Sequence, residues 1–364
     1  MLKIESQPTI QLRPSSWIFF PFLSKIYRGR HLYLEELQRL PVVIRRFATD
    51  HYQNRVAKTL DNILLGELLP WMIAEWFGCK DESVVDKVCS NWMLLYFSIM
   101  LLDDALDAPQ PKSFDRERAF VVSSLLQQRG LCGLLAMAKR QDHIRETIDH
   151  SYEEVALAGA SELRGTNERL GNFSEEEIKS SGRKLSFARI CVDAIADQIQ
   201  APVERVHDLH RILDNLLSAL QLLDDLADWE EDSCPRRATM PLALLEQRRA
   251  VHGGGGHSSA DVLIDLITTR ALEDTLQKAL ELVAKCRNIK EQNFQFGSDW
   301  WLRYLNNLNS IGCDVMGELR NARLALTAET QRGYIALSEE KRRTATNKVL
   351  GKVRKQLHIV AQSS

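Results

Sequence analysis

Neither sign of charge prevails in this chain. It has 47 lysines and arginines against 49 aspartates and glutamates, a formal net charge of −2. That balance removes any global electrostatic case for nucleic acid as a partner. The seven cysteines, Cys79, Cys89, Cys132, Cys191, Cys234, Cys286 and Cys313, are odd in number and form no Cys-x-x-Cys pair. They argue against a zinc site and read as reduced thiols of a cytoplasmic protein. The apolar run from Trp17 to Leu23 is far too short to cross a bilayer and contains Pro21, so no transmembrane segment is expected. It also lacks the signal-peptide order of charge, apolar core and cleavage site. Packing on the domain surface is favoured over contact with a membrane. The run from Gly253 to Gly256, between His252 and His257, lacks the Lys-Ser/Thr of a nucleotide-binding loop and reads as a connector. Strand alternation is missing too.

What remains is helical. A hydrophobic fraction of 45% is ample for a large core. Periodicity places helices at about 32–48, 52–76, 82–107, 114–139, 142–168, 175–199, 203–231, 239–250, 259–286, 292–326 and 335–360. Ser174 followed by Glu177 is a capping box, and Pro202 suits a first helical turn. With short connections and no dividing linker, the expected fold is all-α, a single large antiparallel helical bundle with a central cavity. The expected division is an N-terminal extension over 1–30, an all-α domain over 31–330 and a basic C-terminal helix over 331–364. That tail carries Lys341, Arg342, Arg343, Lys348, Lys352, Arg354 and Lys355, with Val349, Val353, Leu357 and Val360 at helical spacing. Packing on the domain with solvated charges is favoured, and peripheral contact with an anionic membrane is the lesser reading.

Two acidic clusters share one spacing. Asp103, Asp104 and Asp107 follow one apolar run; Asp224, Asp225, Asp228 and Asp232 follow another. Residues four apart on a helix project from nearly the same face. Carboxylates gathered at the end of a buried stretch repel one another and lose hydration, so they need protons or cations. Two such clusters facing each other suit magnesium, a hard ion that takes one or two carboxylates and completes its shell with water and phosphate oxygens. The implied ligand is a diphosphate, whose departure the ions would assist. If it leaves an allylic carbon, a dry cavity must shape the resulting cation. The apolar run from Trp92 to Leu102 supplies a candidate wall.

At these residues the chain resembles the trans-prenyltransferase branch of the class I isoprenoid synthases, over about residues 50–250. The stretch from Leu220 to Asp228, with Gln221, is similar to the second aspartate-rich motif, and Arg237-Ala238-Thr239-Met240-Pro241-Leu242 to the segment after it. The resemblance implies that Asp103 and Asp107 bind two magnesium ions and that Asp224 helps bind a third, with Asp104, Asp225 and Asp228 auxiliary. It implies that Lys184, forty residues before Asp224, grips the diphosphate, and that Lys112 keeps a positive charge there. Arg183, Arg236, Arg237 and the pair Arg303-Tyr304 are further candidates for the diphosphate. Phe97, Ser98 and Ile99 are candidate pocket residues, as is Gln221. Trp92, Trp300 and Trp301 offer ring faces to a cation. The resemblance also implies a homodimer.

The departures carry as much meaning. Chain-elongating members hold isopentenyl diphosphate with Gly-Lys-Arg-x-Arg-Pro; here the stretch is Leu65-Gly66-Glu67-Leu68-Leu69-Pro70. Where the family has Arg-Arg-Gly after the first motif, Lys112 and Ser113 stand at the arginine positions. An ionisation site kept beside a lost second-substrate site implies a magnesium-dependent terpene synthase that ionises a linear allylic prenyl diphosphate and cyclises or eliminates the cation. The alternative is a prenyltransferase, either chain-elongating or a head-to-head enzyme of the squalene and phytoene synthase type. A catalytically silent isoprenoid-binding subunit is a third class, and the intact aspartates argue against it.

Overall fold

The computed structural model describes residues 22–56, 65–107, 115–163, 174–229, 239–252, 259–293 and 300–331. Every regular element among them is helical. The helices are α1 (Leu23–Gln38), α2 (Val42–Val56), α3 (Leu65–Phe77), α4 (Glu82–Asp107), α5 (Arg116–Met137), α6 (Gln141–Leu163), α7 (Glu175–Gly182), α8 (Ala188–Ile199), α9 (Val203–Ala227), α10 (Met240–His252), α11 (Ser259–Thr268), α12 (Ala271–Gln292) and α13 (Trp300–Gln331). A 3₁₀ turn at Arg183–Leu185 follows α7. The expected C-terminal helix lies outside the described residues. The helices fall into two compact groups, one within Met1–Gln141 with Asp197–Gln200, the other within Asp142–Ala196 and from Ala201 onward.

In the first group α4 is the core element. Asp81 starts it, its carboxylate accepting from the backbone N–H of Ser83 at 3.0 Å and from the Ser83 hydroxyl at 2.7 Å. Val85, Val88, Cys89, Trp92, Leu95 and Leu101 are all buried along it, a stripe at helical spacing. α5 lies against α4, and a Cβ at Gly133 would collide with the Asn91 side chain, so glycine there sets how closely the two helices approach. α1 binds α4 from another side through Arg28, paired with Asp86 and, at 2.6 Å, with Glu82. By length and composition α4 and α5 are each apolar enough to cross a membrane; α4 nonetheless buries most of its apolar side chains inside the protein. Aromatic rings join α1, α2 and α4: Tyr33 to Phe97 at 4.7 Å, Tyr52 to Phe97 at 5.1 Å and Tyr33 to Tyr52 at 5.2 Å. Asp197, buried near the end of α8, accepts from the backbone N–H groups of Lys139 and Arg140 at 2.6 and 3.2 Å. It thereby satisfies amides left open at the start of α6.

In the second group α9 is central. It buries Leu209, Ile212, Leu213, Leu216, Leu220 and Leu223. The capping box forms at α7: Ser174 N–H donates to Glu177 Oε2 at 2.7 Å, and Glu177 N–H to Ser174 Oγ at 3.3 Å. Behind α9, the buried Asp193 accepts from Thr147 Oγ1 at 2.6 Å and lies 3.0 Å from His210 Nε2 and 3.8 Å from His143 Nε2.

Three expected helices prove to be divided. Periodicity continues across Pro41, but the chain turns there, so the helix expected at about 32–48 becomes α1 and α2. α1 begins at Leu23 and buries Ile26 and Gly29, so it runs through the boundary expected at residue 30. Arg270, in the left-handed region at φ 65°, separates α11 from α12, and no glycine advertised that break. The 3₁₀ turn interrupts the helix expected at about 175–199.

Burial pushes the Asp193 carboxyl up, but the neighbouring His210, then Thr147 and His143, hold it below the usual carboxylate range. A carboxyl whose pKa is lowered by folding stabilises the fold above its unfolded value of about 3.9 and loses that contribution as pH falls through the folded value. Asp193→Asn is therefore expected to lower the melting temperature at pH 7. The gap from wild type should close as pH falls below about 4, as followed by circular dichroism.

Candidate functional site

Both aspartate motifs stand where a helix ends. Asp103, Asp104 and Asp107 occupy the last turns of α4, and neither α4 nor α9 carries a basic residue in its last turn. Asp224 and Asp225 occupy the last turn of α9, and Asp228 is its C-cap, donating its N–H to Asp224 O at 2.9 Å. The C-terminal end of a helix carries partial negative charge, so carboxylates there are disfavoured without cations. Each motif adds several acids to an already negative pole.

The members of each motif differ in environment. On α4, Asp103 is exposed and Asp104 half-buried. Asp104 Oδ2 lies 2.6 Å from His51 Nε2. The side chain of Asp107 lies outside the described residues. Nearby, Arg116 Nη2 donates to the Leu106 carbonyl at 3.3 Å. On α9, Asp225 is buried and accepts from Gln221 Nε2 at 3.0 Å. That assigns Gln221 a hydrogen bond within the motif. Asp224 and Asp228 are half-buried. Among the described residues no three carboxylate, histidine or thiol side chains are gathered as a metal-binding group. Magnesium needs only one or two carboxylates when phosphate oxygens complete its shell. Oxygen donors at these two helix ends fit that chemistry.

The candidate cations are placed unevenly. Lys184 sits in the 3₁₀ turn, half-buried. Its neighbour Arg183 is tied to Glu176 at 2.8 Å, with Glu154 at 3.8 Å. Lys112, Arg236, Arg237 and Asp232 lie outside the described residues. Arg303 is exposed, whereas Tyr304 is buried and stacks on Trp300 at 5.3 Å and 12°. Successive helical residues point about 100° apart, so that dipeptide is split between solvent and core. Burial pushes the Tyr304 phenol well up.

Of the expected pocket residues, Phe97 and Ser98 are buried in helix packing, with Ser98 Oγ donating to Leu95 O at 2.6 Å. Ile99 is half-buried. Beside them lies the stretch that departs from the family's basic pattern. Glu67 is 1% exposed and paired twice with Arg30, at 2.8 Å to Nε and 2.9 Å to Nη2. A Cβ at Gly66 would collide with the Tyr96 ring. Trp92 Nε1 donates to the Gly66 carbonyl at 2.7 Å. Leu68 and Leu69 are buried. Glu67, which stands where the basic pattern has an arginine, is buried and matched by Arg30.

No protein-family model matches this sequence, and no curated protein does. Solved structures do match its fold. A polyprenyl synthase from Caulobacter crescentus CB15, complexed with calcium and isoprenyl diphosphate, is 17% identical with a TM-score of 0.60, covering 82% of this chain and 97% of its own. A decaprenyl diphosphate synthase from Rhodobacter capsulatus is 15% identical with a TM-score of 0.64, covering 84% and 99%. The fold is that of the isoprenoid synthases. A geranylgeranyl pyrophosphate synthase from Corynebacterium glutamicum, complexed with isoprenyl diphosphate and magnesium, shares this isoprenoid synthase fold at 16% identity and a TM-score of 0.54, covering 83% and 99%.

Two residues of the first helix group carried no signal in the sequence. Arg30 and His51 belong to no motif, and their partners lie 37 and 53 residues away. Glu67→Arg would set two guanidinium groups against each other in a buried site. It is expected to cost at least the roughly 3–5 kcal/mol of a broken buried pair, measured by urea denaturation. Replacing both partners, Arg30→Met with Glu67→Leu, should recover most of that loss.

Proposed function

We propose that this chain is a magnesium-dependent enzyme that ionises a linear allylic prenyl diphosphate. The observation that carries this reading is the pair of acidic helix ends, α4 and α9, each without a basic residue in its last turn. Asp103, Asp107 and Asp224 would hold the ions, with Asp104, Asp225 and Asp228 beside them, and Lys184 would grip the diphosphate. When bound, magnesium neutralises the diphosphate and takes up charge as it leaves. The carbon–oxygen bond breaks, both electrons depart with the diphosphate, and an allylic cation remains. Apolar walls keep water from it.

Prenyl transfer is the first reaction class in this reading, because the neighbours in fold are prenyl diphosphate synthases. That reverses the order drawn from the sequence, where a terpene synthase stood first. In transfer, an alkene of a second prenyl substrate bonds to the cation and a proton is lost. One observation favours the terpene synthase as a second reading: around Gly66 and Glu67, the stretch aligned with the family's basic box is packed core, with Arg30 paired to Glu67. The reading also includes a homodimer, and α5 exposes Phe120 and Val121.

Incubation with farnesyl or geranylgeranyl diphosphate and magnesium, with and without isopentenyl diphosphate, separates the two classes. A longer diphosphate formed only with both substrates supports transfer; a hydrocarbon or alcohol from the allylic substrate alone supports the second reading. No consumption in either arm sinks both. Asp103→Ala and Asp224→Ala are each expected to cut turnover at least about a hundredfold while the helical circular dichroism stays unchanged.

A further inference from the structure

His51 belongs to no motif, yet it reaches the first one. Its imidazole is 10% exposed and Asp104 29%, so the 2.6 Å contact between them is largely shielded from water. The contact has a rigid base. Ala48 and Tyr52, three residues before and one after His51, are buried. Tyr52 meets Phe97 edge-on at 5.1 Å, and Phe97 lies two turns before Asp104 on α4. The ring contact thus registers α2 on α4, and the imidazole sits one step further along the same seam. A hydrogen bond to a carboxylate at this distance is of the short, charge-assisted kind.

The place of this bond matters. Helix ends fray, and the end of α4 concentrates like charges on its negative pole. The ties that hold it include His51 on Asp104 and Arg116 on the Leu106 carbonyl. The first acts directly on a carboxylate of the motif.

We propose that His51 is a positioning residue: by holding Oδ2 of Asp104 it fixes the last turns of α4 so that Asp103 is presented to the metal and diphosphate. This rests on the metal-dependent reading above. His51 donates from Nε2, and Asp104 transmits the constraint along the helix. Neither needs to touch substrate. Partners that orient metal-binding groups typically contribute 10–100-fold in metal affinity.

The test uses the full chain, manganese as the probe ion and inorganic pyrophosphate, with free manganese followed by electron paramagnetic resonance. His51→Leu removes the donor. His51→Gln places an amide nitrogen near the position of Nε2, and His51→Asn carries an amide too short to reach. Metal-free melting temperatures are recorded for each. The expected result is a 10–100-fold loss of manganese affinity in His51→Leu and His51→Asn, with His51→Gln close to wild type and the metal-free melting of Gln and Asn variants alike. If His51→Leu fails to fold, the contrast between Gln and Asn carries the test. Wild-type affinity in the Asn variant, while Asp103→Asn loses manganese, overturns the positioning role and leaves the metal reading standing. Equal loss in Gln and Asn variants also overturns the hydrogen bond as the cause. A wild-type chain that binds no manganese with pyrophosphate overturns both.

Discussion

Carboxylates massed at the negative end of a helix are the constraint on which this structure turns. Such a pole repels acids, and burial of the stretch behind them raises the cost. α4 and α9 each bury a long apolar stripe within their groups, and each ends in aspartates. Folding to a tight apolar core therefore delivers several carboxylates to each of two helix ends. A hard divalent ion, shared with phosphate oxygens, is the chemistry that neutralises them with few protein ligands.

The first helix group shows how that charge is supported. Tyr33, Tyr52 and Phe97 fix α1, α2 and α4 against one another. That register brings His51 to Asp104 and Arg30 to Glu67. The two pairs differ in kind. The Arg30–Glu67 pair is buried and closed on itself, with the Tyr96 ring over Gly66 beside it. Asp104 is half-buried in the last turns of α4. One acid of this group serves the core and the other stands at a helix end.

Much of the fold was legible because helical periodicity and caps are local. The helix expected at about 82–107 is α4, since Asp81 caps its start and the apolar stripe persists to Asp107. The capping box at Ser174 formed as its spacing implies. The divisions at Arg183 and Arg270 were not legible, and the one at Pro41 was marked only by the proline itself. Periodicity continues on both sides of each, and an arginine in the left-handed region gives no compositional warning.

The sequence by itself determined the helical class, the two aspartate spacings and the absence of basic residues at Gly66, Glu67 and Leu69. These follow from neighbours within one or two turns, which spacing encodes directly. Only the tertiary structure decided that Glu67 is matched by Arg30, that Asp104 is held by His51, and that Arg303 and Tyr304 face solvent and core respectively. Those outcomes depend on which helices pack together and in what register, a choice made by side chains dozens of residues apart that no local pattern records.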